Sequence, residues 1–247
     1  MKIIISPAKK MNIDTDSLSY EGLPCFMEKT KLLMNWIKTL SFEECQKLWC
    51  CNDKLAKLNY DRFQVMDLKR NLTPAILSYE GIQYQYMAPG VFTTYELEYI
   101  SEHLRILSGF YGVLKPFDGV VPYRLEMQAK AKIGGNKNLY EFWRDDIYNE
   151  VIDSSRIIIN LASKEYSKCV EKYLTVGDTM VTCVFGEIKN EKVVQKGTMA
   201  KMARGEMVRF MAENQIEDVE KLKNFDRLEY QYREDLSSEM EYVFIKG

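Results

Sequence analysis

The sequence has 247 residues but a single histidine, and its six cysteines include no C-x-x-C pair. These counts leave almost no material for a Cys/His zinc site, and one histidine cannot serve a di-iron site. Nor is a Ser-His-Asp triad supported, because His103 lies in an apolar segment where a core or helix-end role is expected. No glycine-rich turn of the dinucleotide or P-loop kind joins a strand to a helix. We therefore predict neither a bound metal nor a cofactor.

Long apolar runs are also absent. No stretch approaches the length that spans a bilayer, and the opening MKIII is too short for the apolar region of a secretory signal. We expect a cytoplasmic protein without membrane contact. The 46% of apolar residues is typical of a globular chain and predicts one compact domain over 1–247. The net charge of −2 argues against a surface covered in base, although it permits a local basic face.

Helical and strand periodicities alternate along the chain, which predicts an α/β (mixed α+β) fold. Buried strands are indicated by short apolar runs, and helices by apolar residues that recur every three or four positions. Helices are expected over 23–40, 42–49, 54–66, 94–104, 139–152, 198–214 and 216–224 and after Ser163, and strands over 2–6, 156–161, 180–185, 192–195, 228–232 and 240–245.

The segment 40–66 predicts a helix, a tight turn and a second helix. Ser41 and Glu44 form a capping box, and Asn52 offers a second cap. Such a hairpin can present backbone N–H groups to a DNA phosphate, usually through a glycine-containing turn. Here the turn CCND lacks glycine, and the Asp53 carboxylate would repel a phosphate. A plain helical hairpin and a helix-hairpin-helix DNA element both stay open.

The charges are distributed unevenly. Between His103 and Arg144 there are seven basic and three acidic residues, a local excess of about +4. Between Glu213 and Glu241 there are ten acidic and four basic residues. One basic and one acidic face are therefore expected, although two solvated faces without a ligand would give the same pattern.

Two candidate stretches follow predicted strands, where α/β proteins place ligands. In ISPAKKM, Lys9 and Lys10 are suited to holding a phosphate, with an exposed loop as the alternative. In NLASKEY, Asn160 ends a strand, Ser163 caps the next helix and Glu165 lies in its first turn. Free N–H groups at that helix start can bind an anion, with ordinary capping as the alternative.

Two further stretches combine charges. If YRLEM is extended, Arg124 and Glu126 share one face, either as an anion grip beside a carboxylate or as a structural ion pair. Tyr123, close to glycine turns, is a candidate for the wall of the same pocket. In KMARGEMVR, three cations fall within one broad helix face. An anionic partner bound there would relieve the repulsion between them. The alternative is a helix face that only contacts solvent. The three cations are Lys201, Arg204 and Arg209.

Five motifs in order resemble the YaaA family of peroxide-stress proteins. They are ISPAKKM, HLRILSGFYGVLKPFDGVVPYRLEM, LYEFW, NLASKEY and KMARGEMVRFM, which span almost the whole chain. The resemblance implies a cytoplasmic protein that helps cells to survive hydrogen peroxide by keeping unincorporated iron low. It also implies a single unusual α/β fold with a helix-hairpin-helix element and a positively charged cleft that binds duplex DNA. No catalytic residue comes with the resemblance.

Two functional hypotheses follow. In the first, the protein binds double-stranded DNA, and the family-like cations Lys9, Arg124, Lys201, Arg204 and Arg209 contact about five phosphates, with Lys10 beside them. In the second, the same cleft binds a small anionic ligand such as a nucleotide or nucleobase, and the protein is an enzyme. Glu126 or Glu165 would then serve as a general base if burial raised its pKa. Direct iron storage is more weakly supported, since carboxylates are plentiful but no Glu-x-x-His spacing occurs.

Overall fold

An eight-stranded, mainly parallel sheet organises the chain, and the computed structural model describes all residues from Met1 to Gly247. The strands are β1 (Lys2–Ile5), β2 (Lys10–Met11), β3 (Thr73–Pro74), β4 (Tyr79–Glu80), β5 (Leu104–Ser108), β6 (Gly112–Leu114), β7 (Gly119–Val120), β8 (Ile157–Leu161), β9 (Thr179–Lys189), β10 (Lys192–Val194), β11 (Tyr230–Tyr232) and β12 (Glu241–Lys246). The α-helices are α1 (Met27–Thr39), α2 (Phe42–Trp49), α3 (Asp53–Gln64), α4 (Ala75–Ser78), α5 (Ile82–Met87), α6 (Thr94–His103), α7 (Leu139–Trp143), α8 (Asp146–Val151), α9 (Lys164–Glu171) and α10 (Gly197–Glu213). Turns of 3-10 helix cover Pro89–Val91, Val219–Asn224, Arg227–Glu229 and Glu234–Leu236.

The order of the strands creates a crevice at the carboxyl ends of two central strands. The order is β11-β12-β9-β8-β1-β5-β6, with β10 paired to β9. Strands β12, β9, β8, β1 and β5 run parallel to one another, and the outer strands β11 and β6 are antiparallel to them. The chain passes from β1 to β5 on one side and resumes at β8 on the other side of β1. Such a reversal leaves a crevice at the carboxyl ends of the two strands that flank it, here β1 and β8.

This architecture confirms the α/β (mixed α+β) class, and several local expectations hold. The continuous apolar run Ile3–Ile5 is fully buried because β1 lies inside a parallel sheet covered on both faces. His103 ends α6 and is buried, with its Nδ1 2.8 Å from the Met1 carbonyl oxygen. The expected hairpin is β9–β10, and Asn190 and Glu191 turn it with positive φ angles of 50° and 62°.

Other expectations need correction. The helix expected over 139–152 is interrupted at Arg144, where φ is 50° and ψ is −131°, and becomes α7 and α8. Trp143 is completely buried and donates its Nε1–H to the Gly109 carbonyl at 3.1 Å, so tertiary packing fixes where α7 ends. The segment expected as a helix over 216–224 forms a 3-10 helix instead.

The segment 41–66 forms a helical hairpin, α2 and α3, joined by three residues. The capping box of Ser41 and Glu44 is complete in both directions, and the Asn52 side chain accepts a hydrogen bond from the Leu55 N–H at 3.0 Å. A stack of Trp49 on Phe63, at 5.7 Å between ring centroids, ties the two helices together. The hairpin itself is therefore present, and its contact with DNA stays a prediction.

Helix α10 lies unusually close to α5 because of one glycine. A Cβ added at Gly205 would lie 2.2 Å from the carbonyl oxygen of Gln83 and 2.9 Å from the amide nitrogen of Met87. No side chain fits in that space, so a glycine is needed where the two helix backbones meet. This contact holds the basic face of α10 over the carboxyl ends of the sheet strands.

Candidate functional site

A cavity of about 410 Å³ opens at the carboxyl ends of β1 and β8, where the strand order reverses. Ser6 follows β1 directly, and Ser163 lies just after β8. Other segments close the walls: the start of α5, the extended chain before residue 127 and one face of α10. The residues that line it, which we call the cleft, are 6–10, 80–84, 123–126, 163, 165, 166, 201 and 204.

Arg124 and Glu126 form the centre of one wall. The Arg124 Nη2 group donates to Glu126 Oε1 at 3.3 Å, and the Lys9 ammonium lies 3.0 Å from Glu126 Oε2. The Arg124 side chain is only 9% exposed, whereas that of Lys9 is 67% exposed. One carboxylate thus holds a deep guanidinium and a lysine at the mouth of the cleft, and the expected adjacency of Arg124 and Glu126 is confirmed.

Two guanidinium groups in the cleft are incompletely paired. The Arg204 side chain, on α10, makes no hydrogen bond or ion pair with any residue, and its Nε atom is out of reach of solvent. The Arg124 Nε atom is buried without a partner as well. Burial lowers the pKa of Arg204, but a guanidinium stays charged at any ordinary pH. The cleft therefore holds buried N–H donors that no protein oxygen satisfies.

Tyrosines form the apolar floor and fix its shape. The Tyr123 hydroxyl is 2.7 Å from that of Tyr79 and 2.6 Å from Ser108 Oγ, and Tyr84 donates to the Ser6 carbonyl at 3.0 Å. Burial raises the pKa of Tyr123 to about 12, so it remains a neutral hydrogen-bonding group. Tyr166 completes this floor.

The start of α9 supplies further polar groups to the cleft. Ser6 Oγ accepts a hydrogen bond from the Ser163 N–H at 2.8 Å and lies 3.2 Å from Ser163 Oγ, which links the ends of β1 and β8. Glu165 Oε1 accepts from the Gln128 N–H at 3.2 Å. Burial raises the pKa of Glu165, against the opposing effect of that hydrogen bond. A carboxyl group with a raised pKa beside hydroxyls can take part in proton transfer.

The lining carries more positive than negative charge. Five cations and three carboxylates give a formal charge of +2. Lys10 pairs with Glu80 at 2.6 Å, while neither Lys201 nor Arg204 forms an ion pair. The cations are Lys9, Lys10, Arg124, Lys201 and Arg204, and the carboxylates are Glu80, Glu126 and Glu165.

The fold brings nine of the eleven sequence-predicted residues to the cleft and leaves out Asn160 and Arg209. Asn160 is buried, with its Nδ2–H donated to Thr182 Oγ1 at 3.1 Å and its Oδ1 accepting from the Ala162 N–H at 3.0 Å. Arg209 pairs with Glu213 at 2.7 Å. Both side chains thus have protein partners away from the cavity. The binding roles of all eleven residues stay predictions.

Sequence reasoning missed one wall of the cleft. This wall is formed by Glu80 in β4, Gln83 and Tyr84 in α5, and Gly81 between the two elements, which are only two and six residues long. Elements this short carry too little periodicity to be recognised. The glycine at position 81 is the one available signal, because a Cβ there would lie 3.0 Å from the Ala8 Cβ.

The helical hairpin lies beside the cleft. Burial raises the pKa of Cys51, in the connection between α2 and α3, and the thiol also senses the charges of Arg124 and Glu126. The hairpin connection therefore lies within electrostatic reach of the Arg124 wall.

Comparison with known proteins places the chain in a family. A family model described as peroxide stress protein YaaA matches residues 1–236. The chain belongs to the YaaA family. The matched range contains every residue of the cleft, and the expected resemblance is confirmed.

Close relatives cover the full length of the chain. A protein of Agathobacter rectalis called UPF0246 is 62% identical over 244 residues, which are 99% of this chain and 98% of the relative. A UPF0246 protein of Desulfitobacterium hafniense is 59% identical, over 100% and 98% of the two chains, and one of Pediococcus pentosaceus is 57% identical over the same shares. The YaaA family name carries a peroxide-stress role.

None of the helices of this chain combines the length and apolarity needed to cross a bilayer.

Proposed function

We propose that the protein acts in the cytoplasm during peroxide stress by binding double-stranded DNA at the cleft, and that it limits oxidative DNA damage and intracellular free iron. The observation that carries the proposal is the convergence of cations from distant segments. Lys9, Arg124, Lys201 and Arg204 face one concave surface whose lining has a formal charge of +2. Positive concave surfaces concentrate polyanions such as DNA.

The exposure of the cations supports different tasks for them in this proposal. Lys9 and Lys10 have side chains that are 67% and 71% exposed, and Lys201 is exposed as well, so these three can reach the phosphates of a duplex. Because Lys9 and Lys10 are paired with carboxylates, their contribution is partly compensated. The adjoining hairpin supplies a second surface along the same duplex.

Salt dependence of binding tests the DNA proposal. Fluorescence anisotropy on a labelled duplex should show an affinity that falls with salt, with a slope of log K against log salt between about −2 and about −3. The shallower slope corresponds to the net charge of +2 on the cleft lining, and the steeper slope to contact of all three exposed lysines with phosphates. Exchange of Lys9, Lys10 and Lys201 for Gln should flatten the slope. An affinity that does not respond to salt would contradict the proposal.

The iron part of the proposal has a cellular test. Chelatable iron would be measured during peroxide exposure in cells that lack this protein and carry either the native chain or the triple Gln variant. The proposal expects low iron only with the native chain. Equal iron levels with both proteins would show that the control of free iron does not depend on the three lysines of the cleft.

A second candidate function is an enzyme that acts on a nucleotide or nucleobase in the same cleft. The raised pKa of Glu165, in the same cleft as Ser163 and a buried guanidinium, favours it, since phosphate contacts alone need no such carboxyl group. A thermal-shift screen of nucleotides and bases tests binding, because a ligand at 100-fold its Kd adds about 2.7 kcal/mol to the free energy of unfolding. If no compound raises the melting temperature, this candidate falls.

A further inference from the structure

The two arginines of the cleft are arranged as a receptor for a charged group that can enter it. Arg124 is nine-tenths buried and uses one hydrogen bond, to Glu126, of the five that a guanidinium can donate. Arg204 uses none within the protein. Both line the same cavity, and in both the Nε–H is shielded from solvent and unpaired. Planar guanidinium groups with free N–H donors match carboxylate and phosphate oxygens.

The charge of the lining selects among anions. With all side chains ionised, the cleft has a formal charge of +2. A phosphomonoester carries about −1.5 to −2 near pH 7, whereas an internal phosphodiester of DNA carries a single negative charge. A terminal phosphate therefore neutralises the cleft more completely than a phosphate within a strand.

Access to the arginines points the same way. An internal phosphodiester has a nucleoside on each side and lies on the surface of a wide duplex, so it can meet the exposed Lys9 and Lys10 at the mouth. It cannot reach Arg124, whose side chain is 9% exposed. A phosphate attached at one end only can enter a cavity of about 410 Å³, a size within the range of roughly 300–1,000 Å³ usual for small-molecule sites.

We propose that Arg124 and Arg204 bind one terminal phosphate group, the phosphomonoester of a DNA strand end or of a free mononucleotide. The inference deepens the proposed function and rests on it where the phosphate belongs to DNA. Within this arrangement Lys9, Lys10 and Lys201 contact the flanking backbone, and Ser6 and Ser163 line the same cavity. The protein would thus concentrate at breaks with terminal phosphates rather than along intact duplex.

The test compares strand ends with the full-length protein. Anisotropy is measured on one duplex with 5′-phosphate, 3′-phosphate or hydroxyl ends, and on a covalently closed dumbbell of the same sequence that has no ends. Deoxyadenosine monophosphate and deoxyadenosine serve as competitors. Arg124→Gln, Arg204→Gln and Arg204→Lys are compared with Arg144→Gln, which removes an exposed arginine outside the cleft. Melting temperatures verify that each variant is folded.

The inference expects at least one phosphorylated duplex to bind roughly tenfold to hundredfold more tightly than the hydroxyl-ended duplex, the effect of a charge-assisted hydrogen bond. The monophosphate should compete and the nucleoside should not. Arg204→Gln should erase the preference, Arg204→Lys should lose most of it because the planar fork is gone, and Arg144→Gln should keep it. If Arg124→Gln does not fold, the Arg204 variants decide the outcome.

Three results separate this inference from the DNA proposal. Equal binding of all four DNAs without competition by the monophosphate would overturn the inference and leave DNA binding intact. A preference that persists in both Arg204 variants would also overturn it. Binding of the monophosphate by calorimetry, lost in Arg204→Gln, together with no binding of any DNA, would support the terminal-phosphate site and overturn the proposed DNA binding.

Discussion

Replacement of Arg204 by methionine should make the protein more stable while it removes a ligand-binding group. The Nε–H of Arg204 is buried without a partner, and no ion pair compensates its charge. A buried donor left unsatisfied costs about 1–3 kcal/mol. Methionine has a similar length and no polar hydrogen, so it keeps the packing of α10 and removes that cost. We expect the free energy of unfolding to rise by about 1–2 kcal/mol.

The increase is measurable by two routes. For a chain of this length, about 2–4 °C of melting temperature corresponds to 1 kcal/mol, so the melting temperature should rise by about 2–8 °C. In urea, the midpoint should increase while the slope of the free energy against denaturant stays constant. Arg209→Met is the matched control on the same helix. It breaks the 2.7 Å pair with Glu213 and should lower stability by at most about 1 kcal/mol.

A loss of 1 kcal/mol or more in Arg204→Met would refute the reasoning. It would mean that the guanidinium makes a stabilising contact in the folded protein. Arg204 would then not be a ligand-binding group that lowers the stability of the folded protein. A gain in Arg209→Met as large as that in Arg204→Met would show a general effect of methionine on α10 instead.

Three further predictions concern the cleft. Glu126→Gln removes the carboxylate that pairs with Lys9 and Arg124. In anisotropy titrations DNA should therefore bind roughly twofold to fivefold more tightly. Weaker binding would contradict the role of these cations. Gly205→Ala places a Cβ 2.2 Å from the Gln83 carbonyl oxygen. Urea denaturation should show a free energy of unfolding that is lower by about 1–3 kcal/mol. Unchanged stability would show that α10 and α5 move apart freely. Because burial raises the folded-state pKa of Glu165, its stabilising contribution is present below the unfolded value of 4.5 and is lost as pH rises through the folded value. Glu165→Gln should therefore gain stability relative to the native chain as pH rises above 4.5, and parallel pH profiles of the two proteins would contradict this assignment.

The parts of the fold that the sequence predicts are those with strong local signals. The capping box at Ser41 and the apolar run at Ile3–Ile5 each depend on neighbours in sequence, and both appear as expected. The break at Arg144 could not be predicted from its neighbours in sequence, because Trp143 is buried against Gly109, a residue more than thirty positions away. Long-range packing of this kind overrides helix propensity.

The candidate site was predictable in composition but not in detail. Motifs that follow strands gave Lys9 and Ser163, and the parallel neighbours β1 and β8 bring their carboxyl ends together. Spacing alone placed Arg209 with Arg204, yet α10 turns Arg209 toward Glu213. The unpaired state of the Arg124 and Arg204 Nε groups depends on which oxygens the fold brings near, so no pattern in the sequence reveals it.

The affinity of Arg204→Met for duplex DNA is the most direct test of the central claim that the cleft is the binding site. It would be measured beside the native chain and Arg209→Met by anisotropy at one low salt concentration, on a duplex with phosphorylated ends. The account predicts a loss of roughly tenfold or more in Arg204→Met, in spite of its higher melting temperature, and little change in Arg209→Met. Undiminished affinity in Arg204→Met would contradict the account and confine any DNA contact at the cleft to the exposed lysines at its mouth.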